Sequence, residues 1–203
     1  MGHEEHPRGQ LIALEGAGGQ DLTAAAKRLL RQFSEKGHPG RISEWGASKL
    51  FAELDLADPS IPGPSPRTLV LLYASDLAFR LRWEIRPALE EGRAVIAAPY
   101  VQTAIGFGKA TGLSRRWLVE LFCFAPRPAA CYCLHERRPW PASGQQHEGY
   151  LELCYDTLGH SSPPWDPDAL REDFDRYLHA LVRRRGCQPV TEKLPAAVGS
   201  DRS

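Results

Sequence analysis

A glycine-rich turn near the N-terminus is the first place where this chain could do chemistry. Residues 16–23 read GAGGQDLT; they follow a short apolar run, residues 10–14, and lead into a helix-forming run, residues 22–33. Phosphate groups bind where a strand passes through a glycine turn into a helix, because free backbone N–H groups and the helix dipole converge there. The order of these segments therefore predicts a phosphate site.

The same turn departs from the usual nucleotide pattern, GxxxxGK[ST], in which the lysine binds the terminal phosphates and the hydroxyl binds magnesium. Gly16 and Thr23 keep the first and last positions, whereas Asp21 replaces the second glycine and Leu22 replaces the lysine. A carboxylate about 4 Å from a phosphate charge is repelled by roughly 4 kcal/mol at an effective dielectric constant of about 20. Two interpretations stay open: Asp21 caps the following helix and the loop no longer binds triphosphate, or a remodelled loop still binds nucleotide.

The segments that must position this turn alternate between strands and helices. The pattern predicts strands at residues 10–14, 41–44, 93–97 and 129–134, and helices at residues 22–33, 68–91, 115–124 and 168–185. Asp166 or Asp168 suits the positive end of the last helix. Strands that alternate with helices imply right-handed crossovers and a parallel sheet, so we predict a three-layer α/β fold.

Length and charge narrow the class of protein. A chain of 203 residues fits one core, and we expect a flexible N-terminus over residues 1–9, a domain over 10–187 and a disordered tail over 188–203.

The 25 basic and 25 acidic side chains cancel, which argues against a nucleic-acid or membrane partner. Residues 94–101, the longest uncharged apolar run, are far short of the roughly 20 needed to span a bilayer. Since residues 1–10 are also unlike a signal peptide, we expect a cytoplasmic protein.

Two sets of residues have the chemistry of metal ligands. The five cysteines are an odd set without CxxC spacing, so we expect buried, reduced thiols and neither a disulfide framework nor a zinc site. Cys131 and Cys133 would share one face of a strand. Glu152, Asp156 and His160 recur at four-residue spacing, which we interpret as a solvated polar helix face.

Four stretches resemble landmarks of the thymidylate kinase family. They are residues 14–16 leading into 22–27, residues 43–46 (SEWG), residues 85–92 (IRPALEEG) and residues 95–101 (VIAAPYV), and their order and spacing agree over about residues 10–186. The resemblance implies a P-loop fold with five parallel strands and a cytosolic homodimer. It also implies phosphoryl transfer from magnesium ATP to thymidine monophosphate.

The resemblance also assigns site residues, and several of the family's charged positions are changed. The family's Asp-Arg-Tyr motif reads Ala98-Pro99-Tyr100, its Arg-Glu-Pro-Gly motif reads Ser43-Glu44-Trp45-Gly46, and its helical Asp-Arg pair reads Asp76-Leu77. We assign the phosphate loop to Gly16, Gly18, Gly19, Asp21 and Thr23. We assign substrate binding to Glu44, Gly46, Asp76, Arg80 and Tyr100. We assign the lid to Arg137 and Arg138. Leu22, Ala98 and Pro99 occupy vestigial catalytic positions.

Phosphoryl transfer depends on cations and metal placed around the transferred group, and the chain lacks the expected cation at four separate positions. We therefore predict a pseudokinase with weak or lost nucleotide binding and a binding or regulatory role, without a certain cofactor. One alternative is an active dTMP or nucleoside monophosphate kinase that uses Mg-ATP, with Arg80, Lys109 or the lid arginines as substitute cations. Another is a structural partner of an active kinase. Its helical face, residues 69–83 and 115–124, would form the homodimer or the heterodimer.

Overall fold

A five-stranded, all-parallel sheet lies at the centre of the chain. The computed structural model describes residues 9–35, 37–53, 63–134, 149–159, 165–184 and 186–190. The strands are β1 (Leu11–Glu15), β2 (Gly40–Glu44), β3 (Ala94–Ala98), β4 (Ala130–Cys133) and β5 (Gln188–Pro189). They are ordered β2-β3-β1-β4-β5, so the first strand is central and its carboxyl end lies between those of β3 and β4.

Eight α-helices among the described residues surround the sheet. They are α1 (Gly19–Glu35), α2 (Leu50–Glu53), α3 (Pro66–Arg80), α4 (Arg86–Glu90), α5 (Val101–Ala110), α6 (Arg115–Leu121), α7 (Tyr150–Gly159) and α8 (Pro167–Arg183). A π-helical segment, Leu81–Ile85, joins α3 to α4. Pro87 is the second residue of α4, and its ring is incompatible with a regular helix interior. The Asp166 carboxylate caps α8 by accepting hydrogen bonds from the N–H groups of Asp168 and Ala169, as the sequence predicts.

The two faces of the sheet are covered by different helices. Side chains alternate along β1, so Ile12 and Leu14 pack with α1, whereas Leu11 and Ala13 belong to the larger core with α3, α5, α7 and α8. Both β1 and β3 are buried along their whole length. This confirms the predicted three-layer α/β fold. Of the helices described, none is both long and apolar enough to cross a membrane.

Helix α5 is absent from the sequence prediction because two glycines lower its helix propensity. Packing requires them: a Cβ atom at Gly106 would lie 2.8 Å from the Phe174 ring, and one at Gly108 would lie 2.6 Å from a Leu118 methyl group. Strand β5 was also missed, since it falls inside the predicted tail. Most of that tail lies outside the described residues.

The expectation of reduced, buried cysteines is wrong for three of the five. Cys131 and Cys187 form a disulfide, with their Cα atoms 4.7 Å apart. They are 56 residues apart in sequence and meet only because β4 and β5 pair side by side, which spacing alone does not show. Cys133 and Cys154 are buried free thiols, as expected, whereas the free thiol of Cys123 is exposed.

Candidate functional site

The glycine turn between β1 and α1 is closed by contacts within the protein. Residues 16–18 connect the two elements, and both they and Gly19, the first residue of α1, are buried. The N–H of Gly16 donates to Thr103 Oγ1 at 3.2 Å, and the N–H of Gly19 donates to Glu152 Oε1 at 3.2 Å. Two of the backbone donors that would hold a phosphate in such a loop therefore already have side-chain acceptors.

The start of α7 lies directly on this turn. Glu152 also accepts a hydrogen bond from the N–H of Gly149 through Oε2 at 3.2 Å, so its carboxylate bridges two segments. A Cβ atom at Gly149 would lie 2.7 Å from the Gly19 nitrogen, which shows how closely the backbones approach. The interpretation of Glu152 as part of a solvated face is wrong, because its half-buried carboxylate occupies the positive end of α1.

The two substituted positions of the turn differ in burial. Leu22 is 3% exposed and packs in the core between the sheet and α1, so it presents no polar group to a ligand. Asp21 is half-buried in the first turn of α1. Its predicted role as helix cap is wrong, because the helix already begins at Gly19, where Glu152 supplies a carboxylate.

A second closed turn follows β2. The fully buried Asp76 of α3 accepts hydrogen bonds from the N–H of Gly46 at 3.1 Å, the N–H of Ser48 at 3.0 Å and the Ser48 hydroxyl at 2.7 Å. Gly46 has φ 76°, a left-handed conformation that favours glycine. Next to this turn, the Thr23 hydroxyl donates to the exposed Glu44 carboxylate at 2.8 Å, which joins α1 to the end of β2.

Arg80 is fully buried and bonded to the protein through three nitrogens. It donates to Ser43 Oγ at 3.0 Å, to the Ser43 carbonyl at 2.6 Å and to the Pro99 carbonyl at 3.1 Å. These contacts fasten the ends of β2 and β3 to α3. Lys109 is exposed, with its ammonium group 4.9 Å from the centre of the Tyr177 ring. Neither cation contacts the glycine turn.

Glu15 ends β1 at this edge of the sheet, and its carboxylate accepts four hydrogen bonds. Although fully buried, it accepts hydrogen bonds from the N–H groups of Tyr100 (3.1 Å), Gln102 (3.0 Å) and Thr103 (2.9 Å) and from the Thr103 hydroxyl (2.7 Å). It therefore caps the N-terminus of α5. Burial raises the pKa of Glu15 above its ordinary value of 4.5, and the four hydrogen bonds offset part of that effect. The sequence signal was a single acidic residue at the end of an apolar strand.

Tyr100 is held by both its backbone and its side chain. Its hydroxyl donates to the Pro126 carbonyl at 2.8 Å, and its own carbonyl accepts from the Tyr73 hydroxyl at 2.8 Å. Burial, and secondarily the Glu15 charge, raises the pKa of Tyr100. The phenol is 2% exposed, so it serves as a neutral packing group in this conformation.

The fold brings most of the predicted site residues to one edge of the sheet. The group comprises Gly16, Gly18, Gly19, Asp21, Leu22, Thr23, Glu44, Gly46, Asp76, Arg80, Ala98, Pro99 and Tyr100. The lid residues Arg137 and Arg138, as well as His160, lie outside the described residues. Sequence reasoning missed the two carboxylates at the centre of the group, Glu15 and Glu152.

A parallel sheet in this strand order, with a glycine turn between the central strand and the following helix, defines an α/β fold of the P-loop NTPase type. The crystal structure of thymidylate kinase from Ehrlichia chaffeensis has the same fold, with a TM-score of 0.64 over 91% of this chain and 92% of that chain at 12% identity.

Comparison of the sequence gives a more specific result. The chain is 36% identical over 129 residues to proteins named probable thymidylate kinase from Pyrococcus abyssi and Pyrococcus horikoshii, which is 60% of this chain and 62% of each relative. It is 32% identical over 114 residues to the thymidylate kinase of Symbiobacterium thermophilum, covering 54% of this chain and 53% of that one. The matches thus span about three fifths or less of these relatives, and no family model matches the chain. Together the sequence matches and the fold confirm the predicted resemblance to the thymidylate kinase family.

Proposed function

We propose that this chain is a thymidylate kinase-like pseudokinase, which binds nucleotide weakly or not at all and acts through binding or regulation. One observation carries the proposal: the carboxylate of Glu152 accepts the hydrogen bond of Gly19 N–H, at the helix end where a phosphate would bind. The Glu152 carboxylate thus occupies the position that a bound phosphate would take.

The charges around the turn support the same proposal. A phosphate at Gly19 would have to displace Glu152, and it would approach the half-buried Asp21. Each like charge at about 4 Å opposes it by roughly 4 kcal/mol at a protein surface. Leu22 supplies no compensating cation, because its side chain is buried in the core.

Catalysis would need more than binding. Phosphoryl transfer relies on positioning and on cations around the migrating group, and losing one such contact costs about 100-fold in rate or more. Arg80 uses its nitrogens to fasten Ser43 and Pro99, so recruiting it as a substitute cation would break three buried hydrogen bonds.

The decisive experiment combines calorimetry with a coupled assay on the full chain. With millimolar Mg-ATP we expect no binding heat, and with added thymidine monophosphate no ADP formation. A triple variant, Asp21→Gly, Leu22→Lys and Glu152→Ala, should gain measurable ATP binding. Glu35→Gln is the matched control, because it removes a carboxylate at the other end of α1, about 24 Å from Gly19. Magnesium-dependent phosphorylation of thymidine monophosphate by the unmodified chain would contradict the proposal.

A second candidate is a working thymidylate kinase with a remodelled phosphate site. It is favoured by the 36% identity to relatives named probable thymidylate kinase. Mg-ATP would be its cofactor, and Arg137 and Arg138 would supply the missing cations. In this case the coupled assay gives turnover, and replacing both arginines by alanine abolishes it.

The binding role would use a helical face, which we propose as the dimer contact with a second copy or with a related kinase. Its exposed apolar side chains are Leu71, Phe79 and Trp83 along α3 and the π-helical segment, Val119 on α6 and Phe124 just after α6; Trp83 is 60% exposed. Sedimentation of the full chain should show a dimer that Trp83→Glu dissociates. A chain that stays monomeric and copurifies with no kinase would contradict this role.

A further inference from the structure

Three cysteine sulfurs converge where β4 meets β5. Cys131 and Cys133 are two residues apart on β4 and therefore share one face, and Cys187 directly precedes β5. The three Sγ atoms all lie within 4.8 Å of one another, and those of Cys131 and Cys187 are joined as a disulfide. The phosphate-loop chemistry uses none of them.

We propose that, when the disulfide is reduced, Cys131, Cys133 and Cys187 form a binding site for a thiophilic divalent metal ion of the zinc class. Zinc binds thiolate sulfur at about 2.3 Å, so three thiolates around one ion lie about 4 Å apart. Opening the sulfur–sulfur bond brings the cluster toward that spacing without a change of backbone, because β4 and β5 are already paired. Thiolates prefer such soft metals to magnesium or calcium.

The surroundings of the cluster leave one coordination position open. Cys131, which is half-buried, and Cys187, which is 4% exposed, border a cavity of about 700 Å³, whereas Cys133 is fully buried and does not border it. Three protein ligands with a fourth position free are typical of zinc sites that bind water or a substrate. Glu15 also borders this cavity, but its carboxylate already accepts four hydrogen bonds. The fourth ligand would therefore be water or a small donor molecule in the cavity.

Metal binding and the disulfide exclude each other. A phosphine reductant gives two electrons to the Cys131–Cys187 bond and takes the oxygen of a water molecule to become a phosphine oxide. The two sulfurs become thiols with the two protons of that water. The metal ion then displaces thiol protons to the buffer as each sulfur binds.

The test uses the full chain, reduced with phosphine, freed of metal by a chelator and kept without oxygen. Titration with Cd²⁺, followed by its thiolate charge-transfer absorption, should show one ion per chain, and Zn²⁺ should compete for the same site. The oxidised chain should show none of this absorption. Cys133→Ser should weaken binding by at least about 100-fold, the upper range for losing even a supporting residue of a metal site. Cys123→Ser, at the same cavity, and Cys154→Ser, in α7, should leave it unchanged.

Differential alkylation of the unmodified chain keeps the proposal testable if Cys133→Ser fails to fold. In the reduced, metal-free chain, iodoacetamide should label the half-buried Cys131 and, more slowly, Cys187, which borders the cavity but is 4% exposed; Cd²⁺ should protect both. The exposed Cys123 should be labelled in either state. Absence of stoichiometric binding by the reduced chain, or protection of Cys123 instead of the other two, would overturn the proposal.

Discussion

Two helix N-termini at the same edge of the sheet are closed by carboxylates, but in different ways. At α5, Glu15 comes from the adjoining strand β1, is fully buried and accepts four hydrogen bonds. At α1, Glu152 comes from α7, is half-buried, and bridges the N–H groups of Gly19 and Gly149. The α5 end is closed by the scaffold itself, whereas the α1 end is closed by a helix that follows residues 135–148.

The two carboxylates differ in how firmly the fold holds them. A helix N-terminus favours a negative charge whatever its source, so either carboxylate satisfies the free N–H groups. Glu15 cannot leave without exposing a buried helix end. Glu152 comes from a separate helix and is only half-buried, so the proposed function predicts that another anion can compete with it for the Gly19 N–H.

Replacing Glu15 should have the largest effect on either helix end. Glu15→Ala leaves three N–H groups without their acceptor and leaves the Thr103 hydroxyl with only the Gly16 carbonyl, 3.5 Å away; each buried unsatisfied donor costs at least about 1 kcal/mol. We expect the free energy of unfolding to fall by about 4 kcal/mol in urea denaturation at pH 7. Glu91→Ala, which breaks an exposed pair with Arg93, should change it by about 0.5 kcal/mol at most. Equal losses in the two variants would show that Glu15 does not hold α5.

Much of the fold could be predicted from the sequence, because its main elements follow local patterns. Apolar runs bounded by glycine or proline mark β1, β3 and β4, and the capping residue Asp166 marks α8. Helix α5 could not be predicted in this way, since its glycines are required by contacts with Phe174 and Leu118, far away in sequence. The same applies to the disulfide between Cys131 and Cys187.

The candidate site was predictable in location but not in its contacts. The glycine turn, Asp21 and Leu22 can be read directly from the sequence, and the structure has this turn between β1 and α1, as predicted. Which group closes the turn depends on Glu152, 133 residues beyond Gly19, and no spacing rule connects the two. The contact between Glu152 and Gly19 therefore depends on the tertiary fold, and the local sequence pattern does not predict it.

The tight contact between α7 and the turn should be sensitive to a single methyl group. In Gly149→Ala the new Cβ atom would lie 2.7 Å from the Gly19 nitrogen, so α7 must shift, and we expect a loss of about 2 kcal/mol in the free energy of unfolding. Gly159→Ala is the matched control at the other end of α7, where a Cβ atom meets nothing within 4 Å. It should be neutral or stabilise by up to about 1 kcal/mol. Urea denaturation distinguishes the two, and similar values for both would disprove close packing on the turn.

The raised pKa of Glu15 predicts that the free energy of unfolding depends on pH. Below pH 4.5 Glu15 is protonated in both the folded and unfolded chains; as the pH rises, the unfolded chain loses the proton first. The contribution of Glu15 to the free energy of unfolding is therefore present at low pH and falls as the pH rises through the folded pKa, by at most about 1.4 kcal/mol per pH unit. The stability difference between the unmodified chain and Glu15→Gln should shrink over this range. A difference that grows with pH would mean that the folded pKa is lowered.

Replacing Glu152 should cost the least stability and change anion binding the most. Glu152→Gln keeps an oxygen for the Gly19 N–H, but it removes the charge at the end of α1 and leaves the Gly149 N–H without its acceptor, and we expect a loss of about 1 kcal/mol in the free energy of unfolding. Hydrogen exchange of the Gly19 amide should become faster, and inorganic tripolyphosphate should bind about tenfold more tightly, because one like charge has gone from the turn. Glu35→Gln makes the same charge change at the far end of α1 and should alter neither quantity. If Glu152→Gln instead destabilised the chain as strongly as Glu15→Ala, both carboxylates would belong to the scaffold, and the α1 end would hold no exchangeable anion.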